Sequence, residues 1–504
     1  MNIRLTACRT HYSQRFSPFF RDCHWTLRCS TNMRLSLVLS TLAALGAAAQ
    51  TDSPSTASGI VYSTPSSSGN STGSGAAAYP TPSTELAPSN LTGSVSSGFT
   101  PPTLVQDNGT YGPTIEIVHY YYGNWPIGLA VVPDQSLVLA CYTRGTYNYT
   151  LGRAVNITTE EPYPSQDVQL SVDQLQDQTI SNATGYQFAS NTTDQLNSVQ
   201  ALYQSPDGAV WVIDTGRPTL TTSDGSSTMA YAQVGGPKLI RLSSNGSFER
   251  TYTFPGNVHY PDSYMNDVRF DMRANATSGG QGIAYIVDSS SEGRNGFIML
   301  DLGTGKSWRR LTLHPSMLTV YQNRPSYFGQ PWYQTTKGQA QNFNLEGFDG
   351  LAISPDGETA YYAPLTSDYL YSVPTSVLRA DDSENNQARE QAASNAVQNL
   401  GQKGSQTNGF EADSNGIIYL SAPEQNAVYQ YDPSTARFST FVRDPRLFWV
   451  DSMVIADDGY LYGNVNQLPD QQMWQNGTEL RSKPGFLFRA KLNNGGTRIT
   501  NGLM

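Results

Sequence analysis

Asn266, Asp349, Asn408 and Asp451 each stand at the head of a short apolar alternation that runs into a turn rich in Asp and Gly. Brought together, such side chains would turn their oxygens towards a bound ligand, and the carboxylates would favour a cationic organic one. Asp349 and Asp451 would also be the catalytic candidates, as carboxylates able to shuttle a proton. Turn chemistry is the competing explanation, because Asn and Asp before Gly favour the loop that leads into a strand. Arg269 and Glu411 hold equal places in the third and fifth copies of the pattern, where other copies carry small or apolar groups. Charges there are expensive unless paired or solvated, so both join the ligand-binding candidates.

The elements that position these residues are six copies of one unit. They begin at Ile127 (IGLAVVPDQSLVLA), Val199 (VQALYQSPDGAVWVID), Asn266 (NDVRFDM), Asp349 (DGLAISPDGETAYYA), Asn408 (NGFEADSNGIIYLS) and Asp451 (DSMVIADDGYLYG). Alternation with period two is a strand signal. A second strand pair follows each copy, such as GFIMLDLGTGKSWRRL and AVYQYDPSTARFSTFV. Four strands per unit at irregular long spacing predict an all-β chain, a six-bladed β-propeller with four-stranded blades. The innermost strand of each blade then lines a central channel, where small residues such as Gly128, Gly350 and Gly409 allow close approach. In this reading Asn266, Asp349, Asn408 and Asp451 form the polar side of the channel mouth, and Ile127 and Val199 an apolar wall. Aromatic residues flank several blades, among them Tyr120, Tyr121, Tyr122, Trp125, Tyr327, Phe328, Trp332, Phe448 and Trp449. They would either stack on a planar ligand or pack between blades.

Residues ahead of the propeller read differently. Met33 to Ala49 (MRLSLVLSTLAALGAAA) has the basic start, short apolar run and small-residue end of a secretory signal, too short to span a bilayer. Residues 1–32 precede it without an apolar pattern, either as an over-extended start or as a genuine extension. Residues 50–110 are rich in Ser, Thr, Gly and Pro and predict a disordered, glycosylated linker. The propeller is expected over 111–492, with a tail at 493–504. Asn-x-Ser/Thr sequons stand at Asn70, Asn90, Asn108, Asn148, Asn156, Asn182, Asn191, Asn245, Asn275 and Asn476, the last seven within the propeller and expected to be glycosylated on a secreted, extracellular protein. The polar segment between Ser376 and Gly404 predicts a helical insertion between the fourth and fifth blades.

Several chemistries are absent. After residue 49 the histidines are His119, His259 and His314, without zinc-ligand spacing, and no Ser-His-Asp assembly is legible. Cys8, Cys23 and Cys29 precede the expected mature chain, which leaves Cys141 in an apolar strand as a buried structural thiol. A net charge of −10 argues against a nucleic-acid partner, and no later segment predicts an integral membrane association.

The segments VWVIDTG (210–216), AYIVDSSSEGRNGFIMLD (284–301), FDGLAISPDGETAYYAPLTSDYLYSVPTSVL (348–378), LGQKGSQTNGFEADSNGIIYLSAPEQNAVYQYDP (400–433) and DPRLFWVDSMVIADDGYLYGNVNQL (444–468) resemble the major royal jelly protein/Yellow family in order and content. The resemblance covers roughly residues 112–492 and implies a six-bladed propeller. It implies no single function: relatives include pigmentation proteins linked to dopachrome conversion, salivary proteins that bind biogenic amines in the central channel, and nutritional proteins. A more distant similarity to gluconolactonase-like propellers implies a divalent ion, such as Ca²⁺, on Asn266, Asp349 and either Asn408 or Asp451. Against that pattern the first copy starts with Ile127 where an acidic ligand belongs. The expected function is therefore binding of a small organic partner at the channel, with no required cofactor. The alternatives are a lactone hydrolase or a dopachrome-type tautomerase/isomerase, and a non-catalytic wall or matrix glycoprotein.

Overall fold

The computed structural model describes residues 109–501, apart from 133–135, 144–146, 222–226, 244, 328–329, 336, 338–339, 343, 345 and 382–385. The expected extension, signal and most of the linker, with Phe328, lie outside the described residues.

Six four-stranded antiparallel sheets make the fold. Blade 1 runs through Leu129–Val132, Leu137–Cys141, Leu151–Ala154 and Glu160–Pro162, and blade 2 through Val199–Gln204, Val210–Asp214, Lys238–Leu242 and Phe248–Thr253. Blade 3 holds Met265–Asp271, Ile283–Asp288, Gly296–Asp301 and Ser307–Arg310. Blade 4 holds Phe348–Ile353, Thr359–Pro364, Tyr369–Pro374 and Gln398–Gln402, and blade 5 Phe410–Ala412, Ile418–Ala422, Ala427–Asp432 and Arg437–Arg443. Blade 6 takes three strands from the C-terminal side, Val450–Ile455, Tyr460–Val465 and Gly485–Lys491, and its outermost strand, Glu116–Tyr121, from the N-terminal side. That pairing, Tyr121 opposite Gly485 and Glu116 opposite Arg489, closes the ring. Strand starts fall within two residues of the six sequence copies.

Burial explains why many strands read as unbroken apolar runs. In blade 3, all of Ile283–Asp288 and Gly296–Asp301 are buried, because each sheet is covered on both faces by its neighbours. The core consists of six wedges, one between each adjacent pair of blades. Phe270 of blade 3, for example, lies against Tyr203 and Trp211 of blade 2 with ring centroids 5.8 and 4.9 Å apart. Hairpin turns follow the Asp-Gly chemistry. The Asp356 carboxylate accepts from Glu358 N at 3.0 Å and Gly357 takes a positive φ of 73°.

The polar insertion lies elsewhere than expected. Helices Thr375–Arg379 and Asn386–Ala396 sit inside blade 4, between its third and fourth strands, rather than between blades 4 and 5. Ala393 anchors the longer helix in the wedge between blades 3 and 4. The polar outer strand Gln398–Gln402 gives no period-two apolar signal, since none of its residues is buried and Leu400 is its one large apolar side chain. Among the described residues no helix is long and apolar enough to cross a membrane.

Candidate functional site

The innermost strands carry their site residues on irregularities in the ladder. In blade 2 Val199 pairs with Asp214 and Ala201 with Ile213, leaving Gln200 as an extra residue. Blade 4 does the same at Asp349, between the pairs Phe348–Pro364 and Gly350–Ala363. Blades 3 and 6 break register across Asn266–Asp267 and Asp451–Ser452. A bulge bends its strand and re-aims a side chain. Here four of them turn polar groups into the channel.

Those groups form a hydrogen-bonded belt around the channel. Thr143 Oγ1 and Tyr264 OH donate to Gln200 Oε1 at 3.0 and 2.7 Å, and Gln200 Nε2 donates to Asn266 Oδ1 at 2.8 Å. Asn266 Nδ2 in turn donates to Asp349 Oδ1. In the amide orientation that satisfies both its atoms, Asn408 donates to Asp349 Oδ2 at 2.7 Å and accepts from Trp449 Nε1 at 2.9 Å. Asp451 Oδ2 accepts from Trp449 Nε1 at 3.2 Å and from Asn466 Nδ2 at 2.6 Å, and the latter reaches Pro126 O at 2.9 Å. All six blades are thereby linked. The four residues singled out by sequence, Asn266, Asp349, Asn408 and Asp451, do meet, with Asp349 and Asp451 buried.

Two cavities share these four residues. The outer cleft, about 480 Å³ counting space open to solvent, is also lined by Gln200, Met229, Tyr264, Glu346, Leu365 and Leu468. Among the described residues its lining contains the carboxylates of Glu346, Asp349 and Asp451 and no Lys or Arg. The inner chamber, about 390 Å³ on the same measure, reaches Tyr203, Asp267 and Arg269. Close packing of inner strands bounds it: a Cβ on Gly128 would meet Cys141 Sγ, Ala201 Cα and Gln200 O at 2.9 Å.

Arg269 and Glu411 meet beneath the belt as an ion pair, Nε to Oε1 at 3.7 Å. Arg269 also donates to Asp267 Oδ1 at 2.7 Å and to Phe410 O, and its guanidinium lies 4.6 Å from the Tyr203 ring centroid. Burial pushes the Glu411 carboxyl up to about 7, with Arg269 pulling the other way. Burial likewise raises Asp267 against the pull of Arg269. On blades 2 and 6, Arg498 of the C-terminal tail donates to Ser205 O at 2.7 Å and pairs with Asp457 at 3.2 Å. Arg269 is therefore flanked by two acidic side chains, Asp267 and, farther off, Glu411, inside the channel below the outer cleft.

Other expected participants take structural places. Ile127 and Val199 are buried in the wedge between blades 1 and 2 and form no channel wall. The bulge puts Gln200 in the belt instead. Tyr327, Trp332, Trp449 and Trp474 pack on one another, with Trp332 centroids 5.2 Å from Trp449 and 4.7 Å from Trp474. Of these, Trp449 reaches the belt, through its indole N–H. Cys141 is fully buried, with Sγ accepting from Gly128 N at 3.2 Å and donating to Gln200 O at 3.1 Å. Burial pushes its thiol up, the opposite of what a nucleophile needs. His119 is held by Glu160 at 2.6 Å and by Asn156 O at 2.8 Å, between blades 1 and 6.

Sequence reading missed Gln200, Trp449 as a donor, Asn466, Asp267 and Tyr264. Gln200 stands in the repeat row of small and mixed residues, and the bulge that makes it the extra residue of its strand leaves no mark in the period. As for a cation, Asn266, Asp349 and Asn408 converge as a lactonase-like ligand set requires. Around Asp349, however, the two amides present N–H groups, their oxygens being engaged by Gln200 and Trp449. A hard ion takes oxygen ligands, so both amides would have to turn over to hold one. Among the described residues no cluster of three His, Cys, Asp or Glu side chains is placed to hold a metal.

Comparison with solved structures returns propellers of low identity. A luciferin-regenerating enzyme is 12% identical, with a TM-score of 0.39 over 78% of this chain and 100% of that one. Regucalcin from Agrobacterium tumefaciens, described as a calcium-binding protein, is 12% identical with a TM-score of 0.40 over 76% and 95%. A gluconolactonase from Xanthomonas campestris is 10% identical with a TM-score of 0.38 over 76% and 95%. No curated protein matches the sequence. Residues 198–480 match the sequence profile described as major royal jelly protein, a match that takes in blades 2 to 5 and the two inner strands of blade 6, and the chain belongs to that family.

Proposed function

We propose that this propeller binds a small organic cation, an aromatic amine, in the outer cleft above the belt. The observation that carries the reading is the charge of that lining: Glu346, Asp349 and Asp451 face one cleft in which no described residue is basic. Carboxylates held in a partly desolvated cleft favour an ammonium group, and Met229, Tyr264, Leu365 and Leu468 supply the apolar contact an aromatic body needs. The belt fixes the acceptors in advance, which limits the ordering cost of binding.

The protein is, in the same reading, secreted and glycosylated. The signal-like segment 33–49 supports this, as does the exposure of Asn148, Asn156, Asn182, Asn191, Asn245, Asn275 and Asn476, every sequon asparagine in the described propeller.

Thermal shift and calorimetry with serotonin, dopamine and tyramine, in EDTA and then in Ca²⁺, test the proposal. Saturable binding that is indifferent to EDTA and at least about tenfold weaker in Asp349→Asn, a loss of about 1.4 kcal/mol, is the expected result. Binding that requires Ca²⁺ would transfer the site to the metal-dependent hydrolase reading. No binding of any amine would leave the matrix-protein reading in its place.

A further inference from the structure

The last residues of a domain are loosely held unless something ties them down. Here the tail that follows blade 6 is tied repeatedly. Leu492 N donates to Gly459 O at 3.0 Å, at the hairpin turn of blade 6. Gly495, with a positive φ of 71°, and Gly496 then redirect the chain onto the turn of blade 5. The approach is close enough that a Cβ on Gly496 would stand 2.7 Å from Asp413 Cγ. Asn494 Nδ2 donates to Asp413 Oδ2, Thr497 N to Ser414 Oγ at 3.1 Å and Ser414 N to Thr497 O at 2.8 Å. Ile499, 8% exposed, joins the apolar wedge between blades 4 and 5 beside Ala352 and Phe410.

Arg498 carries the tail to the other side of the ring. Blades adjoin one another in chain order, and blade 6 adjoins blade 1, so blades 2 and 5 face each other across the channel. Thr497 is bound to blade 5. The next residue, Arg498, donates from Nη1 to Ser205 O at 2.7 Å and to Pro206 O at 3.1 Å on blade 2, and pairs with Asp457 of blade 6 at 3.2 Å. Two consecutive residues held by opposite blades lie across the channel axis. Ser205, Ser414 and Asp457 belong to the hairpin turns, at the far ends of the innermost strands from Gln200, Asn408 and Asp451. The crossing is therefore at the mouth opposite the belt.

Between the belt and this crossing lies the chamber that holds Asp267, Arg269 and Glu411. The Arg269 and Glu411 side chains are 3% and 5% exposed. Charged groups gain by reaching water, and the turn-end mouth would supply it if it stood open. The Arg498 side chain, itself 11% exposed, fills the way in. We propose that residues 493–501 are a plug: they close the turn-end mouth, make the channel a blind pocket entered from the belt end, and keep water from the charged chamber. The plug is independent of what the outer cleft binds.

The test uses the full-length protein, labels its arginines with phenylglyoxal under native conditions and reads each site by peptide mass spectrometry. In the wild type Arg269 should be protected while Arg153, whose side chain is 43% exposed, reacts. Arg498→Ala cuts the bridge to blade 2, and Ile499→Ser weakens the anchor in the wedge. In each, Arg269 should react about tenfold faster, the ratio that a loss of about 1.4 kcal/mol of closing free energy gives. Either variant suffices if the other does not fold. Arg489→Ala breaks an exposed ion pair with Glu116 on the outer part of blade 6 and controls for general loosening; it should leave Arg269 protected. Rapid labelling of Arg269 in the wild type would overturn the proposal. Unchanged labelling in the tail variants, or equal acceleration in Arg489→Ala, would overturn it equally.

Discussion

Replacing Glu411 by Gln probes the chamber beneath the belt. The Glu411 side chain is 5% exposed and stands 3.7 Å from Arg269, and burial pushes its carboxyl from 4.5 to about 7. Between those two values the native state keeps a proton that the unfolded chain has released. Wild-type stability therefore falls as pH rises through that window, and the whole loss is present above about pH 7. At about 1.4 kcal/mol per pH unit, the gap between 4.5 and about 7 amounts to about 3 kcal/mol. Gln preserves the shape and removes the titration, while Asp267, Arg269 and Arg498 stay in both proteins. Urea unfolding at a series of pH values from about 4 to about 8 should show the variant gaining about 3 kcal/mol on the wild type across the window. Parallel profiles would refute the claim that burial governs this carboxyl.

Gly128→Ala places a methyl against Cys141 Sγ, Ala201 Cα and Gln200 O. Overpacking of that kind costs about 1–3 kcal/mol, so the melting temperature should fall, and amine affinity should fall with it because Gln200 holds Asn266. Unchanged affinity in a folded Gly128→Ala protein would uncouple Gln200 from the cleft. Cys141, fully buried with its thiol pushed up by burial, should resist thiol reagents in the native protein and react at the rate of unfolding in denaturant. Fast labelling without denaturant would contradict the packing of blades 1 and 2.

The repeat made the fold legible because every copy carries an alternation bounded by an Asp-Gly turn, and blades stack by burying both sheet faces. Two strands escaped that logic. Glu116–Tyr121 belongs to no copy, since it completes blade 6 from the far end of the sequence. Gln398–Gln402 is polar and nowhere buried, so it has no apolar period to read. Of the site, Asn266, Asp349, Asn408 and Asp451 were legible as equal positions in the repeat. Arg269 and Glu411 were also legible as charges, and the structure adds that they answer each other across the channel. Gln200 was not legible, because a bulge is one unpaired residue and leaves no mark in hydrophobic period. Asn466 and Trp449 act on Asp451 from beyond its strand, a proximity only the folded blade creates.

The bulges separate two tasks that a regular strand would join. Gln200 and Asp349 have no partner residue opposite them, so changing their side chains alters the belt without removing a cross-strand pair from the blade. Substitution at either position then changes the lining of the channel while the ladder on both sides goes on folding the same ring.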